Sequence, residues 1–323
     1  MDHNIAVVGN AFDSRHKEKI LTAAAETGCT VQFFSTYDDA LPCLDGIHIL
    51  FAPSDARSPE IVRRTPNLKW FASYYAGVDP LLKSGVIGKD MLLTTGSGAY
   101  GVTIAEHMIM VCLMMLRRYP EYREFVETRQ FRSDLMIGSL YGSTVAIVGT
   151  GDIGSKFAQR LRAFLPARII GINRSGRSVE GFDEVYPISQ IDTILPQADI
   201  LALTLPATPE TNDLISRERL ALMKETAFLV NVGRGNCLDQ NALIDALNAG
   251  KLAGAALDVF RTEPIPENDP AWNTRNLLVT PHCSGKMTMA YTRDTLVDTF
   301  CKNLHRFHKG EALLHRVNPE LGY

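Results

Sequence analysis

The stretch Thr144–Gly154, reading TVAIVGTGDIG, decides the fold. Val145–Val148 is an unbroken apolar run of the kind shown by a strand buried on both faces. It runs into Gly149-Thr150-Gly151-Asp152-Ile153-Gly154, and Phe157, Ala158, Leu161 and Phe164 follow at helical spacing. Each glycine has a physical task. Gly149 permits the tight turn, Gly151 lets backbone approach a pyrophosphate, and Gly154 lets helix pack closely on strand. The helix start at Asp152 and Ile153 offers free N–H groups and a positive dipole end to an anion. Glycine patterns of this kind also occur by chance in loops. Here a strand precedes the pattern, a helix follows it, and a further apolar strand, Arg168–Ile172, comes next, which is the context the motif requires. The stretch reads as a dinucleotide site.

The strand Arg168–Ile172 should end near an acid that bonds the adenosine ribose. Asn173-Arg174-Ser175-Gly176-Arg177 stands there instead, with no carboxylate between Ile172 and Val179. An acid would repel a ribose 2′-phosphate, whereas guanidinium and hydroxyl groups bind one. Asn173, Arg174, Ser175 and Arg177 therefore predict NADP(H) as the preferred cofactor, with NAD(H) possible if the loop is only solvated surface.

A chain of 323 residues is long enough for two domains. An apolar content of 46%, a charged content of 21% and a net charge of −3 fit an ordinary globular protein. That balance points to no nucleic-acid or membrane partner. The start, MDHNIAVVG, enters a strand at once and lacks the regions of a signal peptide, and no apolar run is long enough to span a bilayer. The six cysteines show no CxxC and no regular spacing, so they read as reduced thiols of a cytoplasmic protein. No metal-ligand cluster is expected.

Before the glycine stretch, Ile5–Val8, Val31–Phe34, Ile47–Phe51 and Trp70–Ser73 read as strands, with a helix at Lys17–Ala25. Alternation of this kind predicts a parallel, doubly wound sheet. Gly9 follows the first strand without a glycine motif, so this half reads as a substrate domain. In it, Tyr75-Ala76-Gly77-Val78-Asp79 follows a strand and either opens backbone N–H groups to an anion or simply caps a helix at Asp79-Pro80. Tyr100, among the glycines of Thr95–Gly101, either lines a cleft or packs at a hinge. The rings of Tyr75 and Tyr100 together favour a ligand with a sizeable aliphatic or aromatic side chain. His107, on the apolar helix that follows, reads as a structural histidine. Glu121–Arg132 mixes charge with aromatics and reads as an exposed helical arm suited to dimer contacts.

After the glycine stretch, strands are expected at Asp199–Leu205, Ala227–Val230, Ala253–Leu257 and Leu277–Val279, then a closing helix at Thr288–His308. Ligands of open α/β sheets bind beyond the carboxyl ends of the strands. Leu205, Pro206 and Thr211, then Val232 and Gly233, lie at such ends and are expected to border the cofactor. Arg234 sits between two glycines, suited to bidentate capture of a carboxylate. His282, after Thr280-Pro281, suits proton exchange with an alcohol or ketone oxygen. Glu263, in a proline-bounded loop, would fix its tautomer and favour its protonated form.

GTGDIG, LPATPET, NVGRG, ALDVFRTEP and VTPH, in this order and spacing, resemble the D-isomer-specific 2-hydroxyacid dehydrogenase family. YYAGVD, GVTIAEH and NLHRFHKGE extend the resemblance over nearly the whole chain. It implies an α/β protein of two Rossmann-like, doubly wound parallel-sheet domains with a cleft between them. The substrate domain would take residues 1–101 and 284–323, and the dinucleotide-binding domain residues 102–283. The resemblance also implies a catalytic set of Arg234, Glu263 and His282, with Asp258 near the nicotinamide and Ala76, Gly77 and Val78 offering backbone to the substrate carboxylate. The activity implied is reduction of a 2-keto acid to a D-2-hydroxy acid with NADPH, in a homodimer. An NAD-linked phosphoglycerate or glyoxylate type, and a non-catalytic nucleotide-sensing protein of corepressor kind, stay open. Leu165-Pro166 departs from the glycine that relatives often carry.

Overall fold

The computed structural model describes residues 3–88 and 90–318. Residues 1–2 and 319–323, at the ends of the expected substrate domain, and residue 89 lie outside the described residues. Every strand–strand ladder is parallel, and the strands form two sheets. The first holds β1 (Asn4–Val8), β2 (Thr30–Phe34), β3 (Ile49–Ala52), β4 (Trp70–Ser73) and β5 (Leu92–Thr94) in the order β2-β1-β3-β4-β5. The second holds β6 (Thr144–Val148), β7 (Arg168–Asn173), β8 (Glu184–Pro187), β9 (Ile200–Leu203), β10 (Phe228–Asn231), β11 (Gly254–Leu257) and β12 (Leu277–Val279). Its order is β12-β11-β10-β9-β6-β7-β8.

Those two orders differ in kind. Taken from β8, the second sheet runs third, second, first, then fourth onward, the doubly wound order of dinucleotide folds. The first sheet runs second, first, third, fourth, fifth, which is the flavodoxin-like order. The chain passes from one compact unit to the other between Tyr100 and Gly101, and returns between Gly285 and Lys286.

In the first unit the closing helix Ala290–His308 packs by its aromatic face. Phe300 stacks on Phe51 with ring centroids 4.1 Å apart and lies 5.3 Å from Trp70. Polar contacts tie the other face, with Arg15 and His16 both on Asp294. The helix expected at Lys17–Ala25 runs Ser14–Glu26, because Asp13 caps it by accepting the His16 N–H. The strand expected from Ile47 starts two residues later, since the Ile47 N–H closes a turn on the Leu44 carbonyl.

In the second unit β6, β9 and β10 are buried along almost their whole length. Their apolar runs are therefore unbroken rather than alternating. The expected arm is helix only over Tyr119–Glu127, and none of its residues is buried. No helix of the described residues is long and apolar enough to cross a membrane, and the six cysteines carry no disulfide.

Candidate active site

The glycine loop lies at the carboxyl end of β6, where the strand order reverses between β7 and β9. Gly149 takes φ +104°, and a Cβ there would meet the Thr204 hydroxyl at 2.6 Å. A Cβ on Gly154 would meet the Gly149 carbonyl at 2.0 Å, so the helix start can lie this close only with glycine. At Gly151 a Cβ would meet nothing within 4 Å. That is the position from which backbone would approach a pyrophosphate, and the 10-residue helix Asp152–Leu161 begins beside it. The loop thus fits the dinucleotide phosphates. Ile153 is half-buried at the helix start. Asp152 turns elsewhere, with its carboxylate against Gly101, at the start of the helix Gly101–Leu116. An acid there suits the positive end of that helix.

Beyond β7 the structure redistributes the roles expected of the basic loop. Asn173 donates to the Thr150 hydroxyl at 3.0 Å and the Arg177 carbonyl at 2.9 Å, and accepts from the Ser175 and Gly176 N–H groups. Its amide has two donors and two lone pairs, and all are used. Asn173 therefore shapes the loop rather than offering its side chain to a ribose. Arg174, Ser175 and Arg177 stay exposed on it. The loop also has an acidic neighbour that the local sequence did not reveal. Glu210 is held below the usual carboxylate range by its own backbone N–H and the Thr208 hydroxyl, with Arg174 adding to the effect.

After β9, Leu205 is buried and Pro206 half-buried. The Thr211 hydroxyl accepts the Thr208 N–H at 2.8 Å and donates to the Pro206 carbonyl at 2.7 Å, so it closes its own turn and is not presented to a ligand. After β10, Val232 and Gly233 are buried. Buried Asn231 donates to the Arg234 carbonyl and accepts the Gly233 N–H. A Cβ on Gly233 would meet the Leu205 carbonyl at 2.6 Å, and one on Gly235 the Phe260 backbone at 1.9 Å. The glycines beside Arg234 are there for close packing, which fixes the turn that presents the guanidinium. Its Nη1 donates to the Gly233 carbonyl at 2.8 Å.

Glu263 follows β11 and His282 follows β12, on the strands next in order after β10. His282 Nδ1 lies 2.7 Å from Glu263 Oε2, and Glu263 Oε1 accepts the Phe260 N–H at 2.8 Å. Burial pushes the Glu263 carboxyl up. The bonds from His282 and Phe260, with the charges of His282 and Arg234, outweigh that and hold it below its ordinary value. Arg234 thus belongs to the same electrostatic group as the pair. Asp258 is 1% exposed. Its oxygens accept from Thr280, Cys283 and Ser284, so the carboxylate is bound into the turn before and after His282.

In the first unit, the turn after β4 is fixed by Ser54 donating to the Gly77 carbonyl at 2.6 Å and Gly96 N–H donating to the Tyr75 carbonyl at 2.9 Å. Tyr75 is 42% exposed, whereas Val78 is buried in the core and has only backbone to offer. Ala76 is exposed and Gly77 half-buried on the same turn. Tyr100 is 5% exposed and its hydroxyl donates to the Tyr74 carbonyl at 3.0 Å. Tyr100 is thus packed and hydrogen-bonded in this unit, and Tyr75 is the exposed ring of the two.

Residues 109–284 match the model of the D-isomer specific 2-hydroxyacid dehydrogenase NAD binding domain. A crystal structure of a D-isomer specific 2-hydroxyacid dehydrogenase family protein from Aeromonas salmonicida superposes with a TM-score of 0.86 at 35% identity, covering 98% of this chain and 99% of that one. An NADPH-dependent glyoxylate/hydroxypyruvate reductase from Sinorhizobium meliloti, solved with NADP and sulfate, gives a TM-score of 0.83 at 29% identity over 99% of this chain and 100% of that one. Among curated relatives, a glyoxylate reductase from Thermofilum pendens is 33% identical over 88% of this chain and 82% of its own length. The two parallel sheets, the glycine loop at the reversal point and these likenesses agree, and the chain belongs to the D-isomer specific 2-hydroxyacid dehydrogenase family, whose members are NAD(P)-dependent oxidoreductases.

Proposed function

We propose that this protein reduces a small 2-keto acid to the D-2-hydroxy acid and uses NADPH in preference to NADH. The observation that carries the reading is the Glu263–His282 pair at 2.7 Å, on strand ends that adjoin the one presenting Arg234. Arg234 is the group that holds the substrate carboxylate and draws charge onto the keto oxygen. With Nδ1 engaged by Glu263, His282 delivers its proton from Nε2 to that oxygen. Bound NADPH supplies the hydride that completes the reduction at the carbonyl carbon. Gly149, Gly151, Ile153 and Gly154 hold its pyrophosphate, and Arg174, Ser175 and Arg177 its 2′-phosphate. Leu205, Pro206, Val232 and Gly233 border it with backbone and apolar surface. On the substrate side the reading takes Tyr75 and the backbone of Ala76, Gly77 and Val78.

The names of the relatives direct the choice of substrate. Glyoxylate and hydroxypyruvate are the first acids to assay, followed by bulkier keto acids that Tyr75 would pack against. Reduction of one of them with NADPH, at higher kcat/KM than with NADH, is the expected result. Failure to reduce any 2-keto acid with either cofactor sinks the reading. The exposed side chains of Val126, Phe131, Met136 and Tyr141, on and after the arm, favour a homodimer, to be checked by light scattering. Cysteines without disulfides suit a reducing, cytoplasmic setting.

A further inference from the structure

His282 has φ +49°. A non-glycine residue in the left-handed region persists only where its surroundings over-determine it. What does so here centres on Asp258, with the His282 N–H also shared by the Thr280 carbonyl at 3.0 Å. The His282 N–H donates to the Asp258 carbonyl at 2.9 Å, the Cys283 N–H to Asp258 Oδ1 at 2.9 Å, and the Ser284 N–H to Asp258 Oδ2 at 3.0 Å. Three consecutive amides converge on Asp258, which is itself fixed through its own N–H on the Asn231 carbonyl at 3.0 Å.

Asp258 has two further neighbours in line. The Thr280 hydroxyl donates to Asp258 Oδ1 at 2.6 Å, and His107 Nε2 lies 3.3 Å from the same hydroxyl oxygen. Thr280 has a single proton, and a carboxylate can only accept, so that proton goes to Asp258. His107 must then donate from Nε2, which settles its tautomer. We infer that His107 and Thr280 are positioning residues that act through Asp258 to hold the left-handed turn carrying His282. Glu263 holds the imidazole ring while Asp258 holds its backbone. Burial of His107 lowers its pKa against the raising effect of Asp258, so the ring enters the chain of bonds as a neutral donor.

The inference rests on the reading of His282 as the proton donor, and the experiment separates the two. Thr280→Val removes the hydroxyl at nearly constant shape, and Thr280→Ser restores it. Amide hydrogen exchange over 282–284, kcat and KM for the keto acid, and NADPH affinity by fluorescence titration are measured on both variants and on His107→Leu and His107→Gln. In Thr280→Val, exchange at these amides should rise about tenfold or more, as local opening becomes easier. Its kcat should fall about 10- to 100-fold, the effect of a displaced catalytic group, with NADPH affinity unchanged. Thr280→Ser should recover both. His107→Leu should move both in the same direction by less, and His107→Gln, which keeps a donor, should recover part of the loss. Unchanged exchange at 282–284 in Thr280→Val overturns the inference, whatever happens to kcat. If His282→Ala keeps full activity, the reading of His282 falls, while the exchange result still decides whether the turn depends on Thr280.

Discussion

His282 Nδ1 and Glu263 Oε2 are 2.7 Å apart, and the other oxygen of the same carboxylate holds the Phe260 N–H. Both oxygens are therefore fixed, and the imidazole keeps one orientation. His282→Ala should lower kcat by at least about 100-fold while NADPH still binds, since general acid catalysis contributes on that scale. The Glu263 carboxyl is held below its ordinary value of 4.5, so the pair persists above that pH and is lost only as pH falls through the lowered value. Glu263→Gln, which has one oxygen for two donors, should accordingly lower kcat across the whole neutral range. A variant impaired only at acid pH would contradict this pairing.

Asp258 gives a stability prediction with a definite sign. Burial raises its pKa, but the bonds from Ser284, Thr280 and Cys283 outweigh that and hold it below the ordinary 3.8. A depressed carboxylate contributes stability that is present above its unfolded value and lost as pH falls through the folded one. Asp258→Asn should therefore destabilise the protein at neutral pH by about 1–3 kcal/mol, the range for a buried charged acceptor. The difference in Tm from the parent should shrink as pH drops below 3.8. A gap that stays constant with pH would mean the loss is one of packing.

Local chemistry was legible in the sequence, and long-range pairing was not. The GTGDIG loop and the residues at the ends of β10, β11 and β12 announce themselves through short spacings and buried apolar runs. β5 has three residues and β8 is half-buried throughout, so neither carries a clear pattern. His107 meets Thr280 across 173 positions, and no local spacing encodes that. Asn173 and Thr211 were expected at the cofactor, from their positions at strand ends. Position alone does not show whether a polar side chain is free or already bonded within its own turn, and both are bonded.

Leu165 marks strain that the sequence raised only as a departure from glycine. It takes φ +53° with its side chain exposed, and Pro166 follows. The left-handed region costs a non-glycine residue about 1–2 kcal/mol, partly offset by the extra unfolded-state freedom of glycine. Leu165→Gly should thus raise Tm slightly, by the equivalent of about 0.5–1 kcal/mol, without changing kcat. A lower Tm would show that the exposed leucine side chain contributes more than the strain.

Cofactor preference turns on a balance of charge around Arg174. A ribose 2′-phosphate carries roughly two negative charges near neutral pH, like other phosphate monoesters. Arg174 and Arg177 are exposed on a loop held in shape by Asn173, with Ser175 as a neutral donor between them. Exposure weakens each contact by solvent screening, so the expected preference for NADPH in kcat/KM is about 10- to 100-fold. Glu210 is the opposing term, because it feels the charge of Arg174 and would repel the phosphate that Arg174 attracts. Arg174→Ala should weaken NADPH far more than NADH, which has no phosphate to lose. Glu210→Gln should act in the opposite direction and strengthen NADPH by a few-fold, about the effect of one exposed charge, while leaving NADH nearly unchanged. Asn173→Ala should reduce the preference without removing a single phosphate ligand, since it frees the loop that presents them. Kinetics with both cofactors on the parent and the three variants check the set. Equal efficiencies with NADPH and NADH in the parent, or an Arg174→Ala variant that loses both cofactors alike, would reduce the basic loop to solvated surface.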